Sequence, residues 1–404
     1  MKKIVVVGGG FGGVAATLTL LPNMSEGELE LTLIDKNSFH LFTPSLYEVA
    51  TSEQPKKNVA IPFKEIFPKT VRIITDTVLS LDTKNKHVEL KTKGNVPYDY
   101  LILALGSISS DFHIPGLVEH SLPLKSLPDA LTIQSTIRDA YHKAQHDGKM
   151  LRIVVGGGGF SGTELAAELT NYRHFLAQHH KQPEKCIEIS VIQGSDCLLK
   201  ELDASVSRIA ERRLKKEHVA LHFGEHITNV TKDEIDTDAG NHYPFDVFIW
   251  TGGVRANPLP DKSGFSVTKR GQVPVNAYLQ TADFPEVYGV GDLAEYTDPE
   301  TNTPIPTVAQ VAEEQGKAAA ENILHAIRDE HLTLYHYRHF GYVVPLKNHF
   351  AVAELTYMHL SGLAGWMLQQ IVLLRYLYGI LPLSKAFMRW NKFEKELMSP
   401  TTVF

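Results

Sequence analysis

Cysteine is almost missing from this 404-residue chain, which carries only Cys186 and Cys197. Neither C-x-x-C nor C-x-x-x-x-C occurs. A disulfide framework and a redox-active dithiol are therefore excluded, a reducing compartment is the natural setting, and the two cysteines read as packing residues. Long apolar runs are missing too. No stretch approaches the roughly 18 residues of a spanning helix, and the run Ile4 to Val7 after Met1-Lys2-Lys3 stops at glycines, far short of a secretory core. Positive charge is not in excess: 40 Lys and Arg face 46 Asp and Glu, a formal net charge of -6. A nucleic-acid partner is not expected. The 19 His lack ligand spacing, so no metal site is expected either.

What the chain does have is glycine in two special places. Gly8, Gly10 and Gly13 follow the apolar strand Ile4 to Val7 and open a helix through Leu21, in the spacing G-x-G-x-x-G. Glycines there allow a tight turn and bring backbone amides up to a pyrophosphate at the positive end of the helix. Asp35, ending the next strand, is placed to accept from a ribose hydroxyl. A second copy starts at strand Ile153 to Val155, turns through Gly157, Gly159 and Gly162, and returns as strand Ile187 to Ile192. There Gln193 stands where an acid is usual. A neutral amide does not repel a 2′-phosphate, so NADPH would be accepted beside NADH; a tolerated surface residue is the alternative.

Two strand-helix-strand units imply an α/β fold of two Rossmann-like domains, and 404 residues suit two or three cores. Val287 to Val290 reads as a strand returning to the first sheet, so the second domain is inserted in the first. Beyond about residue 330 the pattern changes to short strands and apolar helices.

The late stretch Thr281-Ala-Asp-Phe-Pro-Glu-Val-Tyr-Gly-Val-Gly-Asp292 resembles the FAD signature of the two-dinucleotide-binding flavoprotein reductases. Leu103-Ala104-Leu105-Gly106 resembles their shorter A-T-G turn. Within that superfamily the chain resembles the type II NADH dehydrogenases over nearly its whole length. The segments that carry the likeness are Phe39-His40-Leu-Phe-Thr-Pro44-Ser-Leu-Tyr47-Glu48-Val-Ala50-Thr51, Gly157-Gly-Gly-Phe-Ser-Gly-Thr-Glu164 and Ala309-Gln310-Val-Ala312-Glu-Glu314-Gln315-Gly316. Glu314 stands where that family usually has Gln.

The resemblance implies hydride transfer from NADH, and possibly from NADPH, to FAD, then passage of two electrons to a membrane quinone without proton pumping. It implies FAD contacts at Gly8, Gly9, Gly10, Phe11, Gly12 and Gly13, at Asp35, Lys36 and Val78, and at Ala104, Gly106, Asp292, Ala309 and Gln310. The nicotinamide site would comprise Gly157, Gly159, Gly162, Gln193 and Gly252. Glu164 would orient the nicotinamide or relay protons; as a residue near a helix start it has a plain structural reading beside that one. Gln310, Glu314 and Gln315 would meet the quinone, on a helix capped by Thr307; alanines at helical spacing there also suit ordinary packing. Residues 1–112 with 271–330 would bind FAD, residues 113–270 NAD(P)H, and residues 331–404 would form a membrane-anchoring and dimerisation region.

In that last region Leu363, Trp366, Met367, Ile371, Leu374, Leu377, Tyr378 and Leu381 recur at helical spacing. Lys385, Arg389, Lys392 and Lys395 follow among Phe387, Trp390 and Phe393, a mixture suited to a lipid interface. A helix packed on its own domain or on a second subunit fits the same composition. The resemblance favours a peripheral homodimer on the cytoplasmic face of the cell membrane. Two alternatives remain open from residues alone: a related flavoprotein with another acceptor, sulfide:quinone-like or a soluble quinone reductase, and a non-enzymatic flavin-binding redox sensor. Sulfide oxidation would need cysteines that the chain lacks near Glu164 and after Cys197.

Overall fold

The structure is a computed structural model that describes residues 1–27, 29–51, 56–179 and 186–397. Its main helices are α1 (Phe11–Leu20), α2 (Leu46–Ala50), α3 (Leu127–His146), α4 (Phe160–His179), α5 (Ala204–Lys216), α6 (Ala309–Ile327), α7 (Leu363–Ile380) and α8 (Leu383–Leu397). The first sheet is parallel, in the order Val287–Gly289, Tyr100–Leu103, Lys2–Val7, Leu29–Asp35, Arg72–Thr75. Its central strands are apolar on both faces, because helices and loops cover both sides. A second five-stranded parallel sheet runs Leu122–Pro123, Val247–Trp250, Leu151–Gly156, Ile187–Gln193, Val219–Phe223. The late strand Val287–Gly289 pairs with Tyr100–Leu103, so the second unit is inserted into the first.

The crossings between the units are tied together. Ser107–Ser109 pairs antiparallel with Val254–Ala256, and the Trp250 indole donates to the Ser110 carbonyl at 2.7 Å. Both glycine loops show the same close approach. A Cβ on Gly13 would lie 1.8 Å from the Gly8 carbonyl oxygen, and one on Gly162 would lie 1.9 Å from that of Gly157. Only glycine lets each helix start against its own strand end.

After α6 the chain forms an antiparallel sheet, Tyr342–Pro345, Ala351–Leu355 and Met358–Gly362, and then α7 and α8. No helix among the described residues is long and apolar enough to cross a membrane. The tail divides its apolar residues between two jobs. Leu377, Ile380, Leu381 and Ala386 enter a core shared with Ile4, Val14 and Leu20. Phe393 is buried in the other large core, against Phe42. Leu363, Met367, Ile371, Leu383, Phe387 and Met388 remain exposed. The single broad face drawn from spacing is thus corrected: Leu377, Leu381 and Phe393 pack inward because the helices dock on the first domain. Arg389 is not a loose cation either, since it pairs with Glu65 at 3.0 Å. The side chain of Lys395 lies outside the described residues.

Candidate active site

The two glycine loops open into one cavity of about 1100 Å³. From the first domain it is lined by Gly8, Gly9, Gly10, Phe11 and Gly12, by Asp35, Lys36 and Val78, and by Ala104, Gly106 and Asp292. The second domain contributes Gly157, Gly159, Glu164, Gln193 and Gly252. Gly13 and Gly162 do not line it; they serve the loop-helix contacts above. Gly10 has open space where a Cβ would be, and α1 begins there with no side chain capping its N-terminus. Unpaired helix amides facing a cavity are a natural seat for a pyrophosphate.

Asp35 and Gln193 do the same local work. Asp35 Oδ2 accepts from the Gly9 amide at 2.6 Å, and Gln193 Oε1 accepts from the Gly158 amide at 2.8 Å. The Gln193 amide group then donates to Ser195 Oγ at 2.5 Å. Burial raises the Asp35 carboxyl above the ordinary range, while the Asn37 and Gly9 amides pull the other way.

Asp292 reaches the cavity on the turn Gly291–Leu293. Ser107 Oγ donates to its Oδ2, and Lys125 Nζ lies 3.4 Å from the same oxygen. Lys125 also lines the cavity. Motif reading had not picked out this lysine, because it sits in the irregular segment just before α3. A cavity of this size, with an uncapped helix end and the carboxylates of Asp35 and Asp292 on its wall, fits a dinucleotide of FAD type.

Helix α6 departs from expectation at its start. Its N-cap is Val308, not Thr307, and no side chain caps it. Thr307, Val308 and Ala309 line the cavity, so the uncapped positive end of α6 faces the interior. None of the three residues expected at a quinone lines this cavity. Gln315 is buried, and its Oε1 accepts from the Gly291 amide at 2.7 Å, which braces the Asp292 turn. Gln310 donates to Glu314 at 3.2 Å. Both are half-buried, and neither lines the cavity. Burial raises the Glu314 carboxyl.

Glu164 stands half-buried on the cavity wall, on the first turns of α4. Burial drives its carboxyl well above the ordinary range, and the neighbouring Glu48 adds to that. Glu48 and Tyr47 come from α2, whose residues motif matching noted without giving them a role. Tyr47 lines the cavity and donates to Glu48 Oε1 at 3.1 Å. Glu48 is 5% exposed, its Oε2 has no partner, and burial with the repulsion of Glu168 lifts its carboxyl to about 8. The free thiols of Cys186 and Cys197 do not line the cavity.

A family model for pyridine nucleotide-disulphide oxidoreductases matches residues 2–316. The chain belongs to the pyridine nucleotide-disulphide oxidoreductase family. Its two glycine loops and the Asp292 turn fall within the matched span, whereas the paired cysteines of the family's name are missing. Among curated relatives is a type II NADH:quinone oxidoreductase from Staphylococcus aureus (strain bovine RF122 / ET3-1). It is 26% identical over 400 residues, covering 96% of this chain and 98% of that one. Among solved structures, NDH2 from Plasmodium falciparum in complex with NADH superposes with a TM-score of 0.86 at 18% identity, over 98% of each chain. The sulfide:quinone oxidoreductase from Aquifex aeolicus gives 0.78 at 20% identity, over 94% of this chain and 91% of that one. Such identities show a shared fold for the structures.

Proposed function

We propose that this family member is an FAD-dependent NADH:quinone oxidoreductase of type II, which also accepts NADPH and moves no protons across a membrane. The observation that carries this is one cavity walled by two dinucleotide loops, with Asp292 and the uncapped end of α6 on one side and Glu164 on the other. The curated relatives of near-equal length that bear this name support it. Bound FAD would supply the chemistry of accepting a hydride and passing on two electrons.

The chain's own residues would then do four things. The α1 amides and Asp35 hold the pyrophosphate and ribose, and Asp292, steadied by Ser107, takes a hydroxyl of the flavin's side chain. The loop Gly157–Gly162 with Gln193 seats the nicotinamide dinucleotide. The positive end of α6 favours negative charge that develops on the cofactor ring. Glu164, made weakly acidic by burial, holds a proton at the cavity wall.

Residues 1–112 with 271–330 form the FAD-binding part in this reading, residues 113–270 the NAD(P)H-binding part, and the tail from 331 the attachment region. The exposed apolar residues of α7 and α8 rest on the cytoplasmic face of the cell membrane, where the quinone is found, and the enzyme is a homodimer. A sulfide donor is disfavoured because neither cysteine reaches the cavity. A steady-state assay with NADH and menadione separates the enzyme from a flavin-binding sensor. Sustained NADH consumption supports the proposal; a single stoichiometric turnover with no further consumption contradicts it.

A further inference from the structure

The overall reaction in the proposed function is NADH + H⁺ + quinone → NAD⁺ + quinol. One quinol proton accompanies the hydride; the other must be supplied inside a cavity from which water is largely displaced when both substrates bind. Of the acids on the cavity wall, Glu164 is the one on α4, and burial keeps its carboxyl weakly acidic. Behind it lies a second carboxyl with no evident structural purpose. Glu48 is 5% exposed, its Oε1 accepts from the Tyr47 hydroxyl, the nearby Ser45 side chain also favours its ionised form, and its Oε2 has no hydrogen-bond partner of good geometry. A buried carboxylate with an empty lone-pair side is costly, whereas a carboxylic acid in the same place is tolerated.

Among the described residues, no cation acts on Glu48 to hold it ionised. From α4 it is faced by Glu164 and Glu168, from its own turn by Tyr47 and Ser45, and from α3 comes the neutral Gln134, whose amide donates to the Val49 carbonyl at 3.1 Å. Glu168 accepts from Asn171 at 2.6 Å. Three acids thus share one region, and the charge of Glu168 disfavours ionisation of Glu48, as that of Glu48 does for Glu164. Tyr47 touches both the acid and the cavity, so its hydroxyl can pass a proton between them.

Resting on the proposed function, we propose that Glu48 is a proton-holding positioning residue for Glu164: a carboxyl kept in its acid form behind the cavity, which restores through Tyr47 the proton that Glu164 gives to the reduced acceptor. Glu164 loses a proton to a quinone oxygen that has gained electrons, the Glu48 proton moves to the Glu164 carboxylate, and Glu48 is reprotonated from water. Charge balances at each step, and the only co-reactants are those of the overall reaction. Glu48 touches neither cofactor nor acceptor and acts only through its neighbours.

The test uses the full-length, flavin-loaded protein and two variants, Glu48→Gln and Tyr47→Phe. Infrared difference spectra recorded across a pH titration, without NADH, should show a carboxylic C=O band in the wild type that persists above neutral pH. The Glu48 component of that band should be lost in Glu48→Gln, leaving only the component of Glu164. The Glu48 component should survive in Tyr47→Phe with its midpoint moved upward, because a donor to the ionised form is gone. In stopped-flow, reduction by NADH should keep its wild-type rate in Glu48→Gln, while reoxidation by a quinone at neutral pH should slow about tenfold and lose the alkaline limb of its pH profile. Glu48→Asp should restore part of both. A band unchanged by Glu48→Gln, or reoxidation with wild-type rate and pH profile, overturns the proposal. If Glu48→Gln does not fold, an unshifted band in Tyr47→Phe does the same. Failure of wild-type flavin to be reduced by NADH instead strikes the proposed function, and the infrared result stands apart from it.

Discussion

The hydroxyl of Tyr376 on α7 lies 2.7 Å from Nε2 of the buried His40, whose Nδ1 is 3.0 Å from the Gly9 carbonyl. Burial pushes the imidazole down to about 4, so it is neutral at physiological pH. A carbonyl can only accept, so Nδ1 carries the hydrogen and Nε2 accepts from the tyrosine. One imidazole thus joins the C-terminal tail to the first glycine loop, and Phe11 packs edge-on against it with ring centroids 5.0 Å apart.

Tyr376→Phe should leave His40 Nε2 without its donor and cost about 1–2 kcal/mol, lowering the melting temperature by roughly 2–4 °C. Flavin should also dissociate faster, since the loop that seats its pyrophosphate loses a brace. Differential scanning fluorimetry and the rate of flavin release check both; unchanged values would show that the contact is idle.

Gln193→Glu should suppress NADPH turnover about tenfold or more relative to NADH, because a carboxylate at the strand end repels a 2′-phosphate. Its oxygen can still accept from the Gly158 amide, so the loop itself should keep its shape. The ratio of kcat/KM values for the two dinucleotides is the readout. A constant ratio would mean that Gln193 closes the loop and does not read the ribose.

The fold was legible in the sequence because each glycine loop sits in a fixed grammar of strand, turn, helix and acid, which constrains backbone geometry locally. That Asp35, Asp292, Glu164 and Gln193 would face a common cavity was legible for the same reason, since each lies close to a strand end or a helix start. The long-range partners were not. Whether Gln315 meets a ligand or bonds the Gly291 amide depends on how α6 rotates against a turn far away in sequence. Lys125 lies in no repeating pattern, and the orphan oxygen of Glu48 becomes visible only once α2 is packed between α3 and α4. Likewise, helical spacing showed that the tail was apolar but could not say that Leu377 and Phe393 would be spent on the protein's own core.

That division alters how membrane attachment is best tested. Truncating the tail would strip Leu377, Ile380 and Leu381 from the core and destabilise the whole first domain. Replacing exposed Leu363, Met367, Ile371 and Phe387 with Gln leaves the core intact. Each loses about 1.5 kcal/mol or more of interfacial burial. The fourfold variant should stay folded and yellow but no longer float with anionic liposomes. Turnover of a long-chain quinone should fall more than that of a water-soluble one. Unchanged flotation would make this face a subunit contact.

Glu48→Gln should stabilise the protein progressively as pH rises. The folded carboxyl titrates near 8, whereas an unfolded glutamate titrates near 4.5. Between these values the folded state holds the extra proton, so wild-type stability falls with rising pH and the variant is spared that loss. The gain should be close to nil below the window and reach a few kcal/mol at its upper end. His40 works oppositely: stability is lost as pH falls from about 6.5 toward 4, in both proteins alike. Denaturant midpoints across this range decide the matter, and a pH-independent difference between the two proteins would refute a buried protonated Glu48.

The most direct measurement is an anaerobic titration of the purified protein with NADH, followed by addition of a quinone, while the flavin absorbance is recorded. One equivalent of NADH per bound flavin should bleach the yellow band, and one equivalent of quinone should restore it fully. A flavin that NADH leaves oxidised, or one that is reduced but that no quinone reoxidises, would contradict the assignment of this chain as an NADH:quinone oxidoreductase.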